Sequence, residues 1–186
     1  MRNKAIDAAG LESVRKSIRT IPDFPKKGIL YRDITTLLLD PGAFRRSIKA
    51  MAGHYGKKDI DIIAGAESRG FIFGAALAYE LGVAFVPLRK PGKLPAKTIK
   101  ANYEKEYGTD SLEVHDDAIR KGQRVLLVDD LLATGGTIRA AAELVIRLGA
   151  RLAGFCFLVE LSYLDGREAL EDLGADIFSL VQYDSE

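Results

Sequence analysis

The sequence has few of the residues that tie a fold together covalently or through a metal. It holds one cysteine, two histidines and no tryptophan among 186 residues. A lone cysteine excludes an intrachain disulfide, and neither histidine has metal-ligating partners at a recognisable spacing. Cys156 lies in the apolar run GFCFLVEL, which favours a small buried thiol of a reduced, intracellular protein over a catalytic nucleophile. The chain is therefore expected to fold on its apolar core alone.

An excess of one charge and long apolar runs are also missing. The chain has 27 Lys and Arg against 26 Asp and Glu, a formal net charge of +1. This balance removes the electrostatic argument for a nonspecific nucleic-acid or membrane binder. No apolar run approaches the roughly 18 residues of a membrane span, and the N-terminal segment has no signal-peptide core. We therefore expect a cytoplasmic protein in which any anion site is assembled locally.

Hydrophobic periodicity divides the chain into alternating strands and helices of a single domain, residues 1–186. Helices are predicted within residues 1–20, after Asp40 and Pro41, and at 71–82, 137–150 and 166–174. Apolar runs predict strands at 59–66, 83–88, 111–115, 124–130, 151–161 and 176–181. Residues 90–110, which carry five lysines, are predicted to form a flexible loop. The alternation indicates an α/β fold with a mostly parallel twisted sheet flanked by helices, in which ligands bind at the carboxyl ends of the strands.

The strongest chemical signal is the string VLLVDDLLATGGT, residues 125–137, in which a buried strand runs into two carboxylates and a Thr- and Gly-rich turn. The turn opens a helix, where backbone N–H groups and the helix dipole favour a phosphate. Asp129 and Asp130 would repel that phosphate unless they accept hydrogen bonds from sugar hydroxyls or face a metal. A sugar phosphate satisfies both demands. The alternative is a carboxylate pair that merely ends a strand, followed by an ordinary helix cap.

This string resembles the phosphoribosyl-pyrophosphate motif of the type I phosphoribosyltransferases. The segments IPDFPKKGILYRDITTLL, IAGAESRGFIFG, RKPGKLP and EYGTDSLEVH resemble, in order and spacing, the adenine-specific branch of that family over almost the whole chain. The resemblance implies the type I phosphoribosyltransferase fold, with a small N-terminal hood region (an N-terminal helix and a base-pocket segment within residues 1–35) and the flexible loop at 90–110. It also implies the formation of AMP and pyrophosphate from adenine and 5-phosphoribosyl 1-pyrophosphate, with Mg²⁺ held mainly by the substrate, and a homodimer.

By the same resemblance, four segments supply the substrate contacts. The pyrophosphate loop would be Glu67, Ser68 and Arg69, with a cis peptide at Glu67–Ser68, and the basic contacts to the donor's phosphates would be Arg89, Lys90 and Lys93. The base pocket would be formed by Leu30, Tyr31, Arg32 and Leu131. The ribose and 5-phosphate would be held by Asp129, Asp130, Ala133, Thr134, Gly135, Gly136 and Thr137. The catalytic set would be Glu106, Tyr107, Arg69, Asp129 and Asp130, in which the proton-handling role of Glu106 rests on the resemblance alone.

Taken without the resemblance, each of these segments has a plainer interpretation. Arg69 fits a surface arginine at a helix cap, the lysine cluster fits a solvated face, and Tyr31 fits a packed loop residue. Two alternative functions also stay open. One is transfer to hypoxanthine, guanine or xanthine, and the other is a regulator of the same fold that binds the donor without catalysis, although 186 residues leave no room for an added DNA-binding module.

Overall fold

The structure is a computed structural model that describes residues 6–56, 58–105 and 108–185. The helices of this part of the chain are α1 (Ala8–Ser17), α2 (Thr35–Leu39), α3 (Pro41–Tyr55), α4 (Gly70–Leu81), α5 (Gly136–Arg147) and α6 (Glu168–Glu171). The strands are β1 (Arg19–Ile21), β2 (Tyr31–Asp33), β3 (Ile62–Ala66), β4 (Ala84–Leu88), β5 (Thr98–Lys105), β6 (Gly108–His115), β7 (Arg124–Leu132), β8 (Arg151–Leu161) and β9 (Ile177–Tyr183).

Five parallel strands form the central sheet in the order β4-β3-β7-β8-β9. The chain leaves β3 towards the β4 edge and later returns to place β7 on the other side of β3. The direction of winding therefore reverses between β3 and β7, and in open α/β sheets a crevice for ligands opens at such a point, beyond the carboxyl ends of the strands. The predicted fold class, a mostly parallel sheet flanked by helices, is confirmed.

The sheet is covered on both faces, and alternate residues of each strand serve the two hydrophobic cores. Ile63, Leu126 and Val128 face a core shared with α1, α3 and α4. Ile62 and Leu127 face a second core, which packs against α5 and the β5–β6 hairpin. Burial on both faces explains why β3 and β7 read as continuous apolar runs in the sequence. Among the described residues, no helix has the length and apolar character needed to cross a membrane.

The helix boundaries follow the signals that predicted them. Asp40 caps α3 by accepting hydrogen bonds from the backbone N–H groups of Gly42 and Ala43, at 2.8 and 3.0 Å, and Pro41 occupies the first turn. Helix α4 ends at Gly82, which adopts a left-handed conformation with φ of 69°. The helix predicted at 166–174 is shorter than expected, since α6 spans four residues after a 3-10 turn at Ser162–Leu164.

The loop predicted at 90–110 is wrong over much of its length. Strand β5 occupies Thr98–Lys105 and pairs antiparallel with β6, which itself begins before the predicted strand 111–115. Ala101 and Tyr103 point into the core while Lys100 and Asn102 are exposed, which is the period-two pattern of a half-buried strand. Lys93, Lys97 and Lys100 lie outside the core and mask that pattern in the sequence. The short β1–β2 hairpin and α2 were likewise absent from the prediction.

Candidate active site

The first wall of the candidate site is the loop that follows β3. The Glu67–Ser68 peptide bond is cis, as the family resemblance implied, and Arg69 stands at the beginning of α4. The backbone N–H of Glu67 donates to the carbonyl oxygen of Leu88 at 2.9 Å, which ties the loop to the end of the neighbouring strand β4. The sequence therefore places a carboxylate, a hydroxyl and a guanidinium together at the carboxyl edge of the sheet.

The second wall is the loop that follows β7, residues 133–137. Gly135 has a φ of 82°, a left-handed conformation that lets the chain turn sharply from β7 into α5. Helix α5 begins at Gly136 and runs for 12 residues, so its unpaired N-terminal N–H groups and its dipole both favour an anion at this loop. Residues 133–137 therefore form the tight turn into a helix that the sequence predicted, and phosphate binding at this turn stays a prediction.

Both loops line one cavity of about 390 Å³. Its wall is formed by Glu67, Ser68, Arg69, Lys90, Tyr103, Asp129, Asp130, Leu131, Leu132, Ala133, Thr134, Gly135, Gly136, Thr137 and Ile138. The cavity lies where the winding of the sheet reverses, between the carboxyl ends of β3 and β7. A single small molecule can therefore contact the loop after β3 on one side and the turn at residues 133–137 on the other.

Arg69 links the two walls through a buried carboxylate. Its Nε lies 2.9 Å from Oδ2 of Asp130, which is only 4% exposed. The Arg69 guanidinium also donates to the hydroxyl of Tyr31, which supplies the partner that this phenol needs. Burial raises the pKa of Asp130 although Arg69 opposes the shift, and burial together with the Asp130 charge raises the pKa of Asp129 well above its usual range. Burial therefore disfavours two negative charges on the pair, and Arg69 compensates the charge of Asp130.

The basic residues beside the cavity are held by carboxylates rather than left in solvent. Lys93 and Arg89 both contact Glu67, the latter through Nε at 3.2 Å from Oε2, and the backbone N–H of Lys90 donates to the same oxygen at 2.8 Å. Burial acts to raise the pKa of Glu67, but the hydrogen bonds from Lys93, Lys90 and Arg89 outweigh it and lower this pKa to about 2.

The Lys90 ammonium is oriented by two further side chains. It contacts the Asp110 carboxylate and lies 2.7 Å from the Tyr103 hydroxyl. Burial acts to lower the pKa of Lys90, and the hydrogen bonds to Asp110 and Tyr103 outweigh it, so that this pKa is raised. Lys90 therefore stays charged at the edge of the cavity.

Comparison with known proteins identifies the family to which the chain belongs. The chain matches the phosphoribosyl transferase domain over residues 34–182. It is 57% identical over 172 residues to adenine phosphoribosyltransferase of Acidobacterium capsulatum, covering 92% of this chain and 94% of that protein. The chain belongs to the adenine phosphoribosyltransferase family. As a member it is an enzyme of the pentosyltransferase class.

Solved structures of the family share its fold closely. Adenine phosphoribosyltransferase of Thermoanaerobacter pseudethanolicus matches with a TM-score of 0.89 at 57% identity, covering 93% of this chain and 99% of that one. The Saccharomyces cerevisiae protein, complexed with an imino-altritol bisphosphate and adenine, matches with a TM-score of 0.87 at 43% identity, over 94% and 99% of the two chains.

The family assignment leaves the individual site residues to be compared with the cavity. Of the predicted set, those that line it are Glu67, Ser68, Arg69, Lys90, Asp129, Asp130, Leu131, Ala133, Thr134, Gly135, Gly136 and Thr137. Arg89 and Lys93 reach it only through Glu67, and Tyr31 through Arg69. Leu30 and Arg32 are not among the described residues of its wall; the Arg32 guanidinium lies 3.9 Å from the ring centre of Tyr183 and donates to Thr20. Glu106 and Tyr107 lie outside the described residues.

Sequence reasoning missed two residues that belong to the site. Tyr103 forms part of the cavity wall, and Asp110 faces Lys90 from the neighbouring strand. The period-two alternation around Tyr103 would have indicated an inward-facing position, but no local pattern connects Asp110 with Lys90. The pairing of β5 with β6 sets Tyr103 opposite Asp110, and the bridge between Arg89 and Glu113 brings Lys90 alongside β6.

Proposed function

We propose that this chain forms AMP and pyrophosphate from adenine and 5-phosphoribosyl 1-pyrophosphate, as an enzyme of purine salvage. The observation that carries the proposal is the single cavity shared by the loop after β3 and the turn at residues 133–137. One donor molecule needs both an anion site for its 5-phosphate and a separate basic site for its diphosphate. The similar Saccharomyces cerevisiae structure, a complex with adenine, supports the choice of base.

The donor is held at three points along the cavity. The turn at residues 133–137 receives the 5-phosphate through backbone N–H groups at the beginning of α5. Asp129 and Asp130 accept hydrogen bonds from the ribose hydroxyls. Arg69 and Lys90, with Ser68, bind the diphosphate, where the planar guanidinium matches phosphate oxygens.

The chemistry at the ribose carbon develops positive charge on the sugar and negative charge on the leaving diphosphate. The protein therefore acts by orienting the reactants and by stabilising the two developing charges electrostatically. Arg69 and Lys90 face the leaving group, while the Asp129–Asp130 pair lies on the ribose side. Tyr31 and Leu131 enclose the purine ring, and Glu106 and Tyr107 close over the reacting centre, with Glu106 handling a purine proton.

Magnesium fits this site as an ion that arrives with the donor. The carboxylates of the cavity are hard oxygen donors of the kind that Mg²⁺ prefers. Asp130 is engaged by Arg69 and Glu67 by Lys93, so Asp129 is the carboxylate best placed to contact the ion or its water. When bound, the ion neutralises charge on the diphosphate.

A nucleotide-formation assay tests the proposal against both alternatives. The protein is incubated with the donor, magnesium and adenine, hypoxanthine, guanine or xanthine in turn, and the product is identified by mass. We expect AMP from adenine and turnover of the other purines at least about 100-fold slower, as a site that hydrogen-bonds one purine edge rejects another. IMP, GMP or XMP as the main product would assign a different base. Donor binding without any nucleotide would favour the regulator.

The proposed homodimer has a candidate surface on α4 and the edge strand β4. Ile72 and Tyr79 of α4 are exposed, Tyr79 by 90%, and an apolar groove of about 360 Å³ runs between α4 and α3. Exposed apolar patches of this kind mark interaction sites, and a second copy is the commonest partner. We expect Tyr79→Glu to convert a dimer into a monomer, as measured by light scattering, with Lys121→Glu as the control. An unchanged mass would contradict this surface.

The single buried Cys156 supports a cytoplasmic location.

A further inference from the structure

The chain segment that leaves β8 packs against the turn at residues 133–137. Strands β7 and β8 are parallel neighbours, and Leu132 at the end of β7 pairs with Glu160 near the end of β8. The segments that leave the two strands are therefore adjacent at the carboxyl edge of the sheet. The one that leaves β8 passes through the 3-10 turn at Ser162–Leu164 and reaches Gly166 immediately behind the phosphate-binding turn.

The contact between the two segments is made by backbone on both sides. A Cβ atom placed on Gly166 would overlap the carbonyl oxygen of Ala133 and lie 2.9 Å from its carbonyl carbon. From the other side, a Cβ atom on Gly135 would lie 2.9 Å from the carbonyl oxygen of Gly166. Each glycine leaves room for the other segment, so neither backbone can shift towards the other without displacing it.

The position of Gly166 is held by ionic contacts on its C-terminal side. Arg167 donates through Nε and Nη2 to the two carboxylate oxygens of Glu160, at 3.0 and 2.7 Å, and through Nη1 to the carbonyl oxygen of Ile177 at 3.0 Å. Glu160 is 3% exposed. The two-point geometry fixes the guanidinium plane as a single contact would not. At the far end of α6, Arg139 of α5 pairs with Asp172 at 2.7 Å.

We propose that Gly166 is a positioning residue for catalysis: held by the Arg167–Glu160 pair, it sets where the turn at residues 133–137 holds the 5-phosphate of the donor and of AMP. The inference rests on the proposed function, because it needs the phosphate to bind at this turn. Gly166 has no positive φ, so an alanine there acts through its side chain against Ala133 and not through backbone conformation. A displacement of about 1 Å at a positioned group can cost about 100-fold in rate.

The test compares two ligands that share the cavity but use different walls. Affinities for AMP, and for pyrophosphate with magnesium, are measured by calorimetry on the full-length wild-type protein, Gly166→Ala and Gly42→Ala. Gly42→Ala is the matched control because its Cβ meets only flexible side chains, those of Asp40 and Arg46. We expect Gly166→Ala to weaken AMP binding at least about tenfold while pyrophosphate binding stays within about twofold, and the control to match wild type.

A merely structural role gives a different pattern. If Gly166→Ala only loosened the fold, AMP and pyrophosphate would weaken together, and that result, or unchanged AMP binding, overturns the proposal. Should Gly166→Ala fail to fold, Arg167→Lys decides, because it keeps the positive charge facing Glu160 but loses the two-point contact; selective weakening of AMP supports the proposal and its absence refutes it. Wild-type protein that fails to bind AMP would instead refute the proposed function.

Discussion

Replacing Arg69 by methionine removes the cation that faces a buried carboxylate and keeps the length of the side chain. Removing one partner of a buried ion pair costs about 3–5 kcal/mol, because the other charge is left uncompensated. The Asp130 side chain is almost fully buried, but 37% of the Arg69 side chain is exposed, so water replaces part of the lost interaction. We therefore expect Arg69→Met to lower the free energy of unfolding by about 2–3 kcal/mol at neutral pH.

The pH dependence separates an uncompensated charge from lost packing. Burial already raises the pKa of Asp130 against the opposing charge of Arg69, and without Arg69 this folded-state pKa rises further. A group whose folded pKa exceeds its unfolded pKa stabilises the fold at low pH and loses that contribution as the pH rises through the folded pKa. The defect of Arg69→Met should accordingly shrink as the pH falls from neutrality towards the unfolded-state pKa of an aspartate, about 4.

Urea unfolding, followed by circular dichroism at one fixed chain concentration, measures these quantities for Arg69→Met, Asp130→Asn and the double variant. With a slope of about 2 kcal/mol/M, the expected loss moves the midpoint by about 1 M. The double-mutant cycle should give a coupling energy of about 2 kcal/mol, because Asp130→Asn removes the charge that Arg69 balances. Additive single variants, or a defect that is constant with pH, would show that the two side chains are not paired in the folded protein.

Three further perturbations test other contacts of the site. Glu67→Gln should lower the free energy of unfolding by about 2 kcal/mol at neutral pH and by much less near pH 3. A carboxylate whose pKa is lowered from 4.5 to about 2 stabilises the fold above its unfolded pKa, and this stabilisation is lost as the pH falls. Thermal unfolding across that pH range measures the difference, and a pH-independent defect would contradict the pairing with Lys93. Tyr31→Phe keeps the ring but removes the hydroxyl that accepts from Arg69, so adenine affinity by calorimetry should stay within about twofold; a tenfold loss would instead assign the hydroxyl to the base. Tyr107→Ala should raise the ratio of donor hydrolysis to transfer, measured with and without adenine, since water then reaches the reacting centre; an unchanged ratio argues against closure.

The hydrophobic pattern was sufficient where apolar residues form a clear helical stripe or a continuous run. The amphipathic pattern after Asp40 predicted α3 together with its cap, and the apolar run at 124–130 predicted most of β7. Strand β5 was missed, because only alternate residues such as Ala101 and Tyr103 pack inward, while Lys100 and Asn102 lie exposed between and beside them. In such a strand the exposed residues make the composition look polar, whereas packing of the buried residues determines that the segment forms a strand.

The candidate site divides in a similar way. The turn at residues 133–137 was predicted because the chemistry of a phosphate site is contiguous in sequence: a strand, a Gly-rich bend and the beginning of a helix. Arg69 with Asp130, and Lys90 with Asp110, are pairs that no spacing along the chain indicates. Arg69 meets Asp130 because the neighbouring strands β3 and β7 place their carboxyl ends side by side. Lys90 meets Asp110 because Arg89, just before it, bridges to Glu113 of β6. Both contacts are properties of the assembled fold.

The sequence by itself determined the fold class, and it predicted the turn at residues 133–137 and the carboxylate pair that precedes it, because each depends on residues close together along the chain. Only the tertiary structure decided that β3 lies next to β7, that one cavity joins their two loops, and that Gly166 stands behind the turn. Local propensity is set by interactions between near neighbours in sequence. The order of parallel strands depends on how the helices that connect the strands pack against the faces of the sheet. This packing is made by contacts between residues that are distant in sequence.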